Sequence, residues 1–598
     1  MHHSTRGTLA LIFALIAALL VPVASPAGNG TVAAAPAGAA VDPLLTERLN
    51  DAAPDAVLQA VVTYFQQPTA DDLAAARATG VLTHRFQVLP MIAVQGTPDQ
   101  IRSTIGLPGV RSVYFNKQLE YLLNDSVGYI GADRVWSDLG YTGKGVGVAV
   151  IDSGVDATHP DLALGTATVQ NVKILAGNFF TSDSVFVENV PNSDTTSGHG
   201  THVSGTIVGR GTASTGKYTG VAPGANLIGI GAGEGLHILW ALQGFDYALA
   251  NQDKYNIQVI SNSWGTNGEF AAADPVNVAS KAAYDRGMIV AFASGNEGPD
   301  ENTLNPYSVA PWVIGVAAGC TTDQGVRDTS VRCNPGSLLA NFSSRGIPGD
   351  PLYHPTITAP GVWITAARSS TGVVINASGS TNQYCNPVPE AYYVCINGTS
   401  MATPHIAGVA ALMREAKPGL HPDLIKEALT STAKPMTRPD GSLYEEWEVG
   451  AGYVDAYAAV AKAERMAAKT GTFRTKEGKT YKTYAETYTW SGIMPLGVTE
   501  AGAGSHDYYK QDITANALSA TVRVQWGDPV QDIDLYVNAP DGSLIGKSAQ
   551  GATNFEETTF TGTFLPLGTY TVDVEGWLTV AAPYDGTFTV SYVLGGGK

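Results

Sequence analysis

Beyond its N-terminus the sequence has no apolar run of the roughly 20 residues that a helix needs to cross a membrane. Its one long run, LALIFALIAALLVPV, follows Arg6 and leads into small residues that end at Ala27. A basic start, a short apolar core and small residues at a cleavage point are typical of a secretory signal peptide. We therefore expect residues 1–27 to be removed, and the protein to be secreted, extracellular and without a membrane span.

Positive charge is also scarce. The 35 Lys and Arg residues stand against 53 Asp and Glu residues, which gives a formal net charge of -18 at pH 7. The basic residues are scattered, so no basic face is available to bind the phosphates of a nucleic acid. We expect no nucleic-acid partner, and we expect a monomer.

Cysteine is rare as well, with four residues at positions 320, 333, 385 and 395. Export makes disulfide bonds chemically possible, and four cysteines allow three pairings. The short loops favour Cys320 with Cys333 and Cys385 with Cys395. A zinc site is less favoured, because no two of the cysteines form a CxxC pair.

The pattern of apolar and polar residues changes along the chain. Residues 28–44 are low in complexity and indicate a flexible spacer. Within residues 45–122, strand and helix patterns follow each other in the order βαββαβ, for example LQAVVTYF and then TADDLAAARATG with its threonine cap. That order predicts a ferredoxin-like α+β unit.

Residues 125–465 contain apolar strands such as GVGVAVID, VISNSW and IVAFAS, separated by helical stretches. Continuous apolar runs indicate strands that are covered on both faces, so we predict an α/β fold with a mostly parallel sheet and helices on both sides. Residues 466–483 are basic and polar and indicate a linker. In residues 484–598 apolar and polar residues alternate between Asp-Gly and Gly-rich turns, which predicts an all-β sandwich.

Three polar residues of the α/β region lie where the local backbone would present them for chemistry. Asp152 ends an apolar strand, at the sheet edge where open α/β folds place their sites. His199 lies between two glycines at the start of a small-residue helix. Ser400 precedes a long helical stretch, and Pro404 is tolerable only near a helix start, so we predict that this helix begins at about Ser400.

These residue types form a catalytic set. A serine hydroxyl needs an imidazole to accept its proton, and the imidazole needs a carboxylate that fixes its tautomer and stabilises its charged form. A tetrahedral intermediate also needs hydrogen-bond donors. The backbone N–H of Ser400 at a helix entrance is one candidate, and the amide of Asn296 in AFASGNEG is the other.

The segments VIDSGVDATHPDL, SGHGTHVSGTI, ASGNEG and GTSMATPHIAGVAAL resemble the motifs of subtilisin-like serine peptidases (subtilases) across residues 125–465. The order Asp, His, Ser is the order of that family, for which subtilisin is a standard example. The resemblance implies a serine endopeptidase that works through an acyl-enzyme on Ser400. In it Asp152 orients the base, His199 is the general base and acid, and Asn296 completes the oxyanion hole. No cofactor is required for this chemistry.

The resemblance also implies how protein or peptide substrates bind. Substrate backbone is added as a strand beside the SNSWG segment, which implicates Ser263, Trp264 and Gly265. Ala293, Ser294 and Gly295 are implied as a wall of the S1 pocket. Trp264 beside the cleft would favour apolar or aromatic groups.

The flanking regions also resemble parts of this family. Residues 45–122 resemble its inhibitor-type propeptide, which occupies the cleft as an intramolecular inhibitor until it is cut away, by autocatalysis, in the stretch QLEYLLNDS. Residues 484–598 resemble the bacterial pre-peptidase C-terminal domain. Structural calcium is possible but unassigned, because Asp161 matches a family calcium position while the loop GRGTASTGKYTG departs from the family pattern.

Ordinary structural interpretations compete with each of these assignments. A lone serine before a helix is more often an N-cap than a nucleophile. His202, His405 and His159 are interpreted as structural, since no HExxH motif accompanies His199 and His202. Asp532 and Asp534 alternate along one strand and could bind calcium, although a solvated sandwich face is favoured.

Two other functions compete at the level of the whole chain. One is an extracellular binding or adhesion protein with an inactive peptidase domain, which is disfavoured because all four catalytic elements are present. The other is an α/β-hydrolase esterase, which would need a G-x-S-x-G motif and the order Ser, acid, His. The sequence around Ser400 reads Gly-Thr-Ser-Met-Ala, and the acid comes first.

Overall fold

A computed structural model describes residues 39–116, 120–121, 126–175, 180, 185–233, 237–321, 338–379, 391–475, 478–495, 497–498, 505–551 and 553–594. The predicted signal peptide and residues 28–38 of the predicted spacer lie outside the described residues. No helix within these ranges is long and apolar enough to cross a membrane.

The N-terminal region is a five-stranded sheet with three helices. Its strands are β1 (Ala40–Val41), β2 (Leu58–Tyr64), β3 (Leu82–Arg85), β4 (Met91–Gly96) and β5 (Val110–Phe115), and its helices are α1 (Pro43–Asp51), α2 (Ala70–Ala78) and α3 (Pro98–Ile105). The strand order is β1-β5-β2-β4-β3. Thr69 and Asp72 form a capping box that fixes the start of α2. The end of the predicted spacer thus belongs to the sheet, because Ala40 and Val41 pair with β5.

The central region is built on an eight-stranded sheet. Its strands are β7 (Gly147–Asp152), β8 (Thr168–Ile174), β9 (Phe186–Val187), β10 (Asn226–Gly231), β11 (Ile257–Asn262), β13 (Ile289–Ala293), β14 (Ile314–Gly319) and β15 (Ile357–Pro360). The strand order is β15-β14-β13-β11-β7-β10-β8-β9, and every neighbouring pair is parallel except β8 with β9. Two small antiparallel ladders pair β6 (Glu120–Tyr121) with β12 (Trp264–Gly265), and β16 (Ile364–Ala367) with β17 (Tyr393–Ile396).

Helices cover both faces of this sheet, as the continuous apolar runs predict. They are α4 (Ala132–Arg134), α5 (His199–Val208), α6 (Ile238–Ala250), α7 (Gln252–Tyr255), α8 (Pro275–Asp285), α9 (Val374–Gly379), α10 (Thr399–Ala416), α11 (Pro422–Ser431), α12 (Glu446–Val449) and α13 (Ala456–Arg465), with a π-helical turn at Val135–Leu139 and a 3-10 turn at Thr212–Ser214. Alternate residues of β7 face opposite layers. Val148 and Val150 pack in the core that includes α5 and α10, while Ala149 and Ile151 pack in the core with α6 and α8.

The C-terminal region consists of two antiparallel sheets. One contains β18 (Gly471–Arg474), β19 (Thr480–Met494), β22 (Ala517–Trp526), β25 (Phe555–Thr561) and β27 (Ala582–Val593). The other contains β20 (Gly497–Val498), β21 (Ser505–Ile513), β23 (Asp532–Asn538), β24 (Leu544–Ser548) and β26 (Gly568–Thr579). Buried and more exposed residues alternate along β27, so this strand contributes one face to the core.

The segment predicted as a linker is instead held against both neighbouring regions. Residues 471–474 form β18, and the N–H of Ala467 donates to the carbonyl of Ala485 at 2.8 Å. The N–H of His421 donates to the carbonyl of Ala468 at 2.9 Å. The polar composition misled the prediction because an edge strand needs few apolar residues.

A buried ion pair joins the central and C-terminal regions. The ammonium of Lys462 on α13 lies 2.8 Å from Oε1 of Glu486 on β19, and the two side chains are 14% and 3% exposed. Lys462 also donates to the Tyr484 hydroxyl, which donates to Glu427 on α11 at 3.3 Å. The two regions therefore share a desolvated polar interface.

We expect Lys462→Met to lower the free energy of unfolding by about 3 kcal/mol, because it leaves the Glu486 carboxylate buried without its closest cation. Urea denaturation followed by tryptophan fluorescence measures the change. The matched control is Lys434→Met, which removes an ion pair to Asp455 whose lysine is 61% exposed, so its cost should stay below about 1 kcal/mol. Equal losses in the two variants would contradict the prediction.

Candidate active site

Asp152 and His199 form a closely hydrogen-bonded pair. Asp152 ends β7 and His199 begins α5, and His199 Nδ1 lies 2.6 Å from Asp152 Oδ1 with both side chains fully buried. The backbone N–H of Ser153 donates to the same carboxylate oxygen at 2.8 Å. This contact fixes the imidazole orientation and directs Nε2 away from the carboxylate.

The glycines around His199 bring its helix close to the strand end. Gly198 has φ 86°, which an ordinary residue rarely adopts. A Cβ on Gly200 would lie 2.2 Å from the carbonyl oxygen of Gly154. The Gly-His-Gly sequence is therefore a packing requirement of the Asp152–His199 contact.

Ser400 lies in the first turn of α10, which begins at Thr399, one residue before the predicted start. Because Pro404 has no N–H, the carbonyl of Ser400 lacks its usual helical donor. The hydroxyl of Ser263 donates to that carbonyl at 2.8 Å, and the Ser400 hydroxyl donates to the carbonyl of Ser263 at 2.7 Å. This reciprocal pair was not predicted, although Pro404 four residues after Ser400 is the sequence signal for it.

Asn296 lies directly beside this helix entrance. Its Oδ1 accepts the backbone N–H of Thr399 at 3.0 Å and the Thr399 hydroxyl at 3.2 Å. With the oxygen held in this way, the amide NH2 is the group that Asn296 can present to the cleft that it lines together with Ser400.

The cleft has a volume of about 140 Å³. Of the six predicted substrate-binding residues, four line it, namely Trp264, Gly265, Ala293 and Gly295; Ser263 and Ser294 are buried and do not. Its other lining residues, which were not predicted, are Thr266, Asn267, Glu297 and Asn305.

The prediction for the Trp264 side chain is wrong. The indole is 1% exposed, packs against Phe292 and Tyr307, and donates to the carbonyl of Ile151 at 2.7 Å. The side chain of a strand residue can point to either side, and the sheet core takes the largest apolar group. Only the backbone of Trp264 is therefore left for the cleft.

Asn305 fixes the two walls of the cleft relative to each other. Its Nδ2 donates to the carbonyls of Ala293 at 2.8 Å and Trp264 at 3.1 Å. A Cβ on Gly265 would lie 2.3 Å from the Asn305 amide. Asn305 comes nine residues after Asn296, in a loop with no periodic pattern, so sequence reasoning had little to find it by.

The region that contains these residues matches a known protein family. The subtilase family model matches residues 143–463, which is more than half of the chain. The chain belongs to the subtilase family.

Curated relatives agree with this assignment. The chain is 32% identical to Serine protease AprX of Bacillus subtilis (strain 168) over 393 residues, which span 63% of this chain and 80% of that protein. It is 33% identical to Subtilisin E of the same strain over 298 residues, which span 49% of this chain and 62% of that protein. A solved structure titled S41 Psychrophilic Protease matches with 26% identity and a TM-score of 0.42, covering 54% of this chain and 96% of that one. The family and the two curated relatives show that the subtilase is a serine endopeptidase.

A second buried carboxylate supports the site of this subtilase. Asp194 accepts the backbone N–H groups of Gly198 at 2.8 Å and Thr201 at 3.0 Å, and also the hydroxyls of Ser153 at 3.0 Å and Thr201 at 2.6 Å. Burial raises the pKa of the Asp194 carboxyl, and these hydrogen bonds oppose the rise. Asp194 therefore connects the residue after Asp152 with the start of the His199 helix, and sequence reasoning missed it.

The three histidines interpreted as structural are buried and bonded to backbone. His202 Nε2 lies 3.1 Å from the carbonyl of Val394, and His405 Nδ1 lies 2.7 Å from that of Met401. His159 lies 2.7 Å from the carbonyl of Tyr392. Burial lowers the pKa of His405 to about 4 and that of His202 well below its usual value.

Asp161, which matches a family calcium position, is hydrogen-bonded to protein donors. The Asp161 carboxylate receives the N–H of Ala213 at 2.9 Å and the Tyr393 hydroxyl at 2.7 Å. No group of three potential metal ligands occurs in the part of the chain that the structure describes. Neither Cys320 nor Cys395 is a free thiol, and since Cys333 and Cys385 lie outside the described residues, the pairing stays a prediction.

The lowered pKa of His405 predicts that the stability of the subtilase falls in acid. The unfolded chain binds a proton at His405 below about pH 6.5, whereas the folded chain does so only near pH 4. The contribution of His405 to the free energy of unfolding is thus complete above pH 6.5. It decreases by about 1.4 kcal/mol per pH unit as the pH falls toward 4, because one proton is involved.

We expect the free energy of unfolding of His405→Gln to fall less steeply as the pH decreases from 6.5 to 4. The substitution removes the one proton that His405 takes up on unfolding, and with it this part of the slope of stability against pH. Urea midpoints measured between pH 4 and 7 give the slope. His354→Gln, at a half-buried surface histidine, is the control and should leave it unchanged. If the slope of His405→Gln matches the parent slope, His405 is not the responsible group.

Proposed function

We propose that this subtilase cleaves peptide bonds with Ser400 as nucleophile, His199 as general base and acid, and Asp152 as the group that orients His199. The proposal is supported above all by the buried 2.6 Å contact between His199 and Asp152. It is also supported by the packing of α5 against α10, the two helices that begin at His199 and next to Ser400.

In this mechanism the Ser400 hydroxyl turns from the carbonyl of Ser263 to His199. His199 Nε2 accepts the proton as Oγ attacks the substrate carbonyl, and the resulting imidazolium is stabilised by Asp152. The imidazolium then protonates the leaving amine, and a water activated by the same nitrogen hydrolyses the acyl-enzyme. His199 ends neutral and Ser400 regains its proton.

The oxyanion is stabilised by the Asn296 amide together with the backbone N–H of Ser400. One such donor is worth about 3 kcal/mol in the transition state. The contact of Asn296 Oδ1 with Thr399 supports this role, because it leaves the NH2 as the donor and fixes it to the helix that carries Ser400. Ser263 serves as a positioning residue that holds the Ser400 backbone.

The substrate backbone would bind as an added strand along Trp264 and Gly265, which follow the buried Ser263. Ala293 and Gly295 would lie beside its S1 side chain, with the buried Ser294 between them in the chain. The antiparallel pairing of residues 120–121 with Trp264 and Gly265 supports this mode. The same pairing supports residues 45–122 as an inhibitor-type propeptide whose own C-terminal segment lies along the cleft.

Further contacts support the propeptide assignment. The buried Asp246 carboxylate on α6 accepts the backbone N–H groups of Gln87, Val88 and Leu89 at 2.7, 2.6 and 3.0 Å. Asn116 Oδ1 accepts the N–H of Leu239 at the start of the same helix. The strand order β5-β2-β4-β3 around two helices is consistent with a ferredoxin-like unit.

We infer that the chain is made as a secreted, self-processing preproprotein whose signal peptide ends at Ala27 and whose mature form is a monomer with two disulfides. Residues 484–598 would be a pre-peptidase C-terminal-like sandwich, which the two antiparallel sheets support. Calcium would be structural if it binds, since the proposed chemistry uses none.

Ser400→Ala should abolish labelling by a fluorophosphonate and lower the rate of casein cleavage about 10⁶-fold, because no other hydroxyl is activated by His199. The variant is produced with its propeptide removed in trans, and circular dichroism checks that it folds. Ser280→Ala, which changes a buried serine on α8 that does not line the cleft, is the matched control and should still be labelled. Labelling of folded Ser400→Ala would disprove the assignment.

Asp246→Ala should loosen the propeptide, because three backbone N–H groups lose a charged acceptor. In a full-length Ser400→Ala background, which cannot process itself, we expect added trypsin to digest residues 45–122 about tenfold faster or more. Asp253→Ala, on an exposed position of α7, is the control and should digest at the parent rate. Equal rates for both variants would show that Asp246 does not hold the propeptide.

A further inference from the structure

The far end of α10 carries a buried arginine that the proposed mechanism does not use. Arg414 lies in the last turn of this helix, about 21 Å from Ser400 at the rise of an α-helix. Its side chain is 5% exposed. A charged group at this depth normally has a partner of opposite charge.

Arg414 has no such partner among the described residues. One of its Nη groups donates to the carbonyl of Gly287, Nε has no hydrogen-bond partner, and no ion pair to it is formed. Burial lowers the pKa of Arg414 to about 10, so the guanidinium remains charged at neutral pH. By contrast, Arg345, which is also buried, lies 3.0 Å from the Glu448 carboxylate.

Arg414 borders a cavity of about 440 Å³ at the amino edge of the central sheet. Arg286, at the end of α8, and His421, at the start of α11, line the same cavity, with Gln252 and Asn256 as neutral polar groups. The only acid that lines it within the described residues is Asp253, which is exposed. Two arginines therefore converge here in a chain whose net charge is -18. His421 adds a neutral imidazole, because burial lowers its pKa and its Nδ1 accepts the backbone N–H of Asp423 at 3.2 Å.

The other charged groups nearby are already engaged. Asp423 on α11 receives hydrogen bonds from Lys482 and from the Tyr284 hydroxyl, and Asp285 on α8 pairs with Lys281. The C-terminal dipole of α10 offsets part of the Arg414 charge, but such an effect is worth about 1 kcal/mol. The guanidinium thus retains uncompensated charge beside an open cavity.

We propose that this cavity binds a small oxyanion such as phosphate or sulfate, with the Arg414 guanidinium as its main ligand and Arg286 and His421 at its sides. A guanidinium presents parallel N–H donors that match the spacing of oxygens on phosphate and sulfate. The bound anion connects the ends of α8 and α10 with the start of α11. It therefore stabilises the fold from the side opposite to the cleft.

Calorimetric titration of the full-length Ser400→Ala chain with sodium phosphate tests the site. Sodium chloride keeps the ionic strength constant, and separate titrations use sulfate and acetate. We expect saturable binding of one phosphate or sulfate per chain, with acetate weaker, and a loss of about tenfold or more in affinity for Arg414→Met. Arg210→Met, which removes another arginine that lacks an acidic partner in the described residues, is the matched control and should bind like the parent.

The absence of saturable binding in the parent chain would overturn the proposal. Unchanged affinity in folded Arg414→Met would overturn it as well. Tighter binding of acetate than of phosphate and sulfate would assign the site to carboxylates instead. If Arg414→Met does not fold, Arg286→Ala, at the exposed rim of the cavity, is titrated in its place. Unchanged affinity in Arg286→Ala would then overturn the proposal. Because Ser400 is already alanine, none of these results depends on the proposed catalytic roles.

Discussion

The burial of α10 is the constraint on which the rest of the structure depends. Every residue from Thr399 to Arg414 is buried, so this helix runs through the interior and contacts strands β11, β13, β14 and β15 as well as α5. Small residues make this possible, as at Gly408, where a Cβ would lie 2.5 Å from Val221. Because its path is fixed by packing, its first turn presents Ser400 in a defined position and its last turn holds Arg414.

Buried carboxylates fix the loops around this framework. Asp194 anchors the start of the His199 helix, and Asp246 binds three successive N–H groups of the N-terminal region. The half-buried Glu415 carboxylate likewise accepts the backbone N–H groups of Thr142, Gly143 and Lys144 at 2.6 to 3.0 Å. Several N–H donors on one carboxylate offset the cost of burying its charge. At these three positions the chain therefore uses its acids as acceptors for backbone N–H groups rather than as members of ion pairs.

Part of the site could be predicted because it rests on local chemistry. Three features of the site can be recognised from a short stretch of sequence, because each reflects a local backbone conformation. They are Asp152 at a strand end, His199 between glycines, and Ser400 shortly before a proline. Asn305, Asp194 and the Ser263–Ser400 pair could not be predicted in the same way. Their partners lie 12, 7 and 137 residues away in the chain, and a lone Asn, Asp or Ser in a loop carries no pattern of its own.

The sequence by itself determined the membership in the subtilase family, the parallel sheet and the order of the polar residues at its edge, because periodicity and glycine spacing are local properties. Only the tertiary structure decided where the side chains go. It turned the Trp264 indole into the core, ordered a polar segment as an edge strand, and left Arg414 buried without an acidic partner among the described residues. These outcomes depend on which surfaces meet after folding, and contacts between distant segments leave no periodic trace in the sequence.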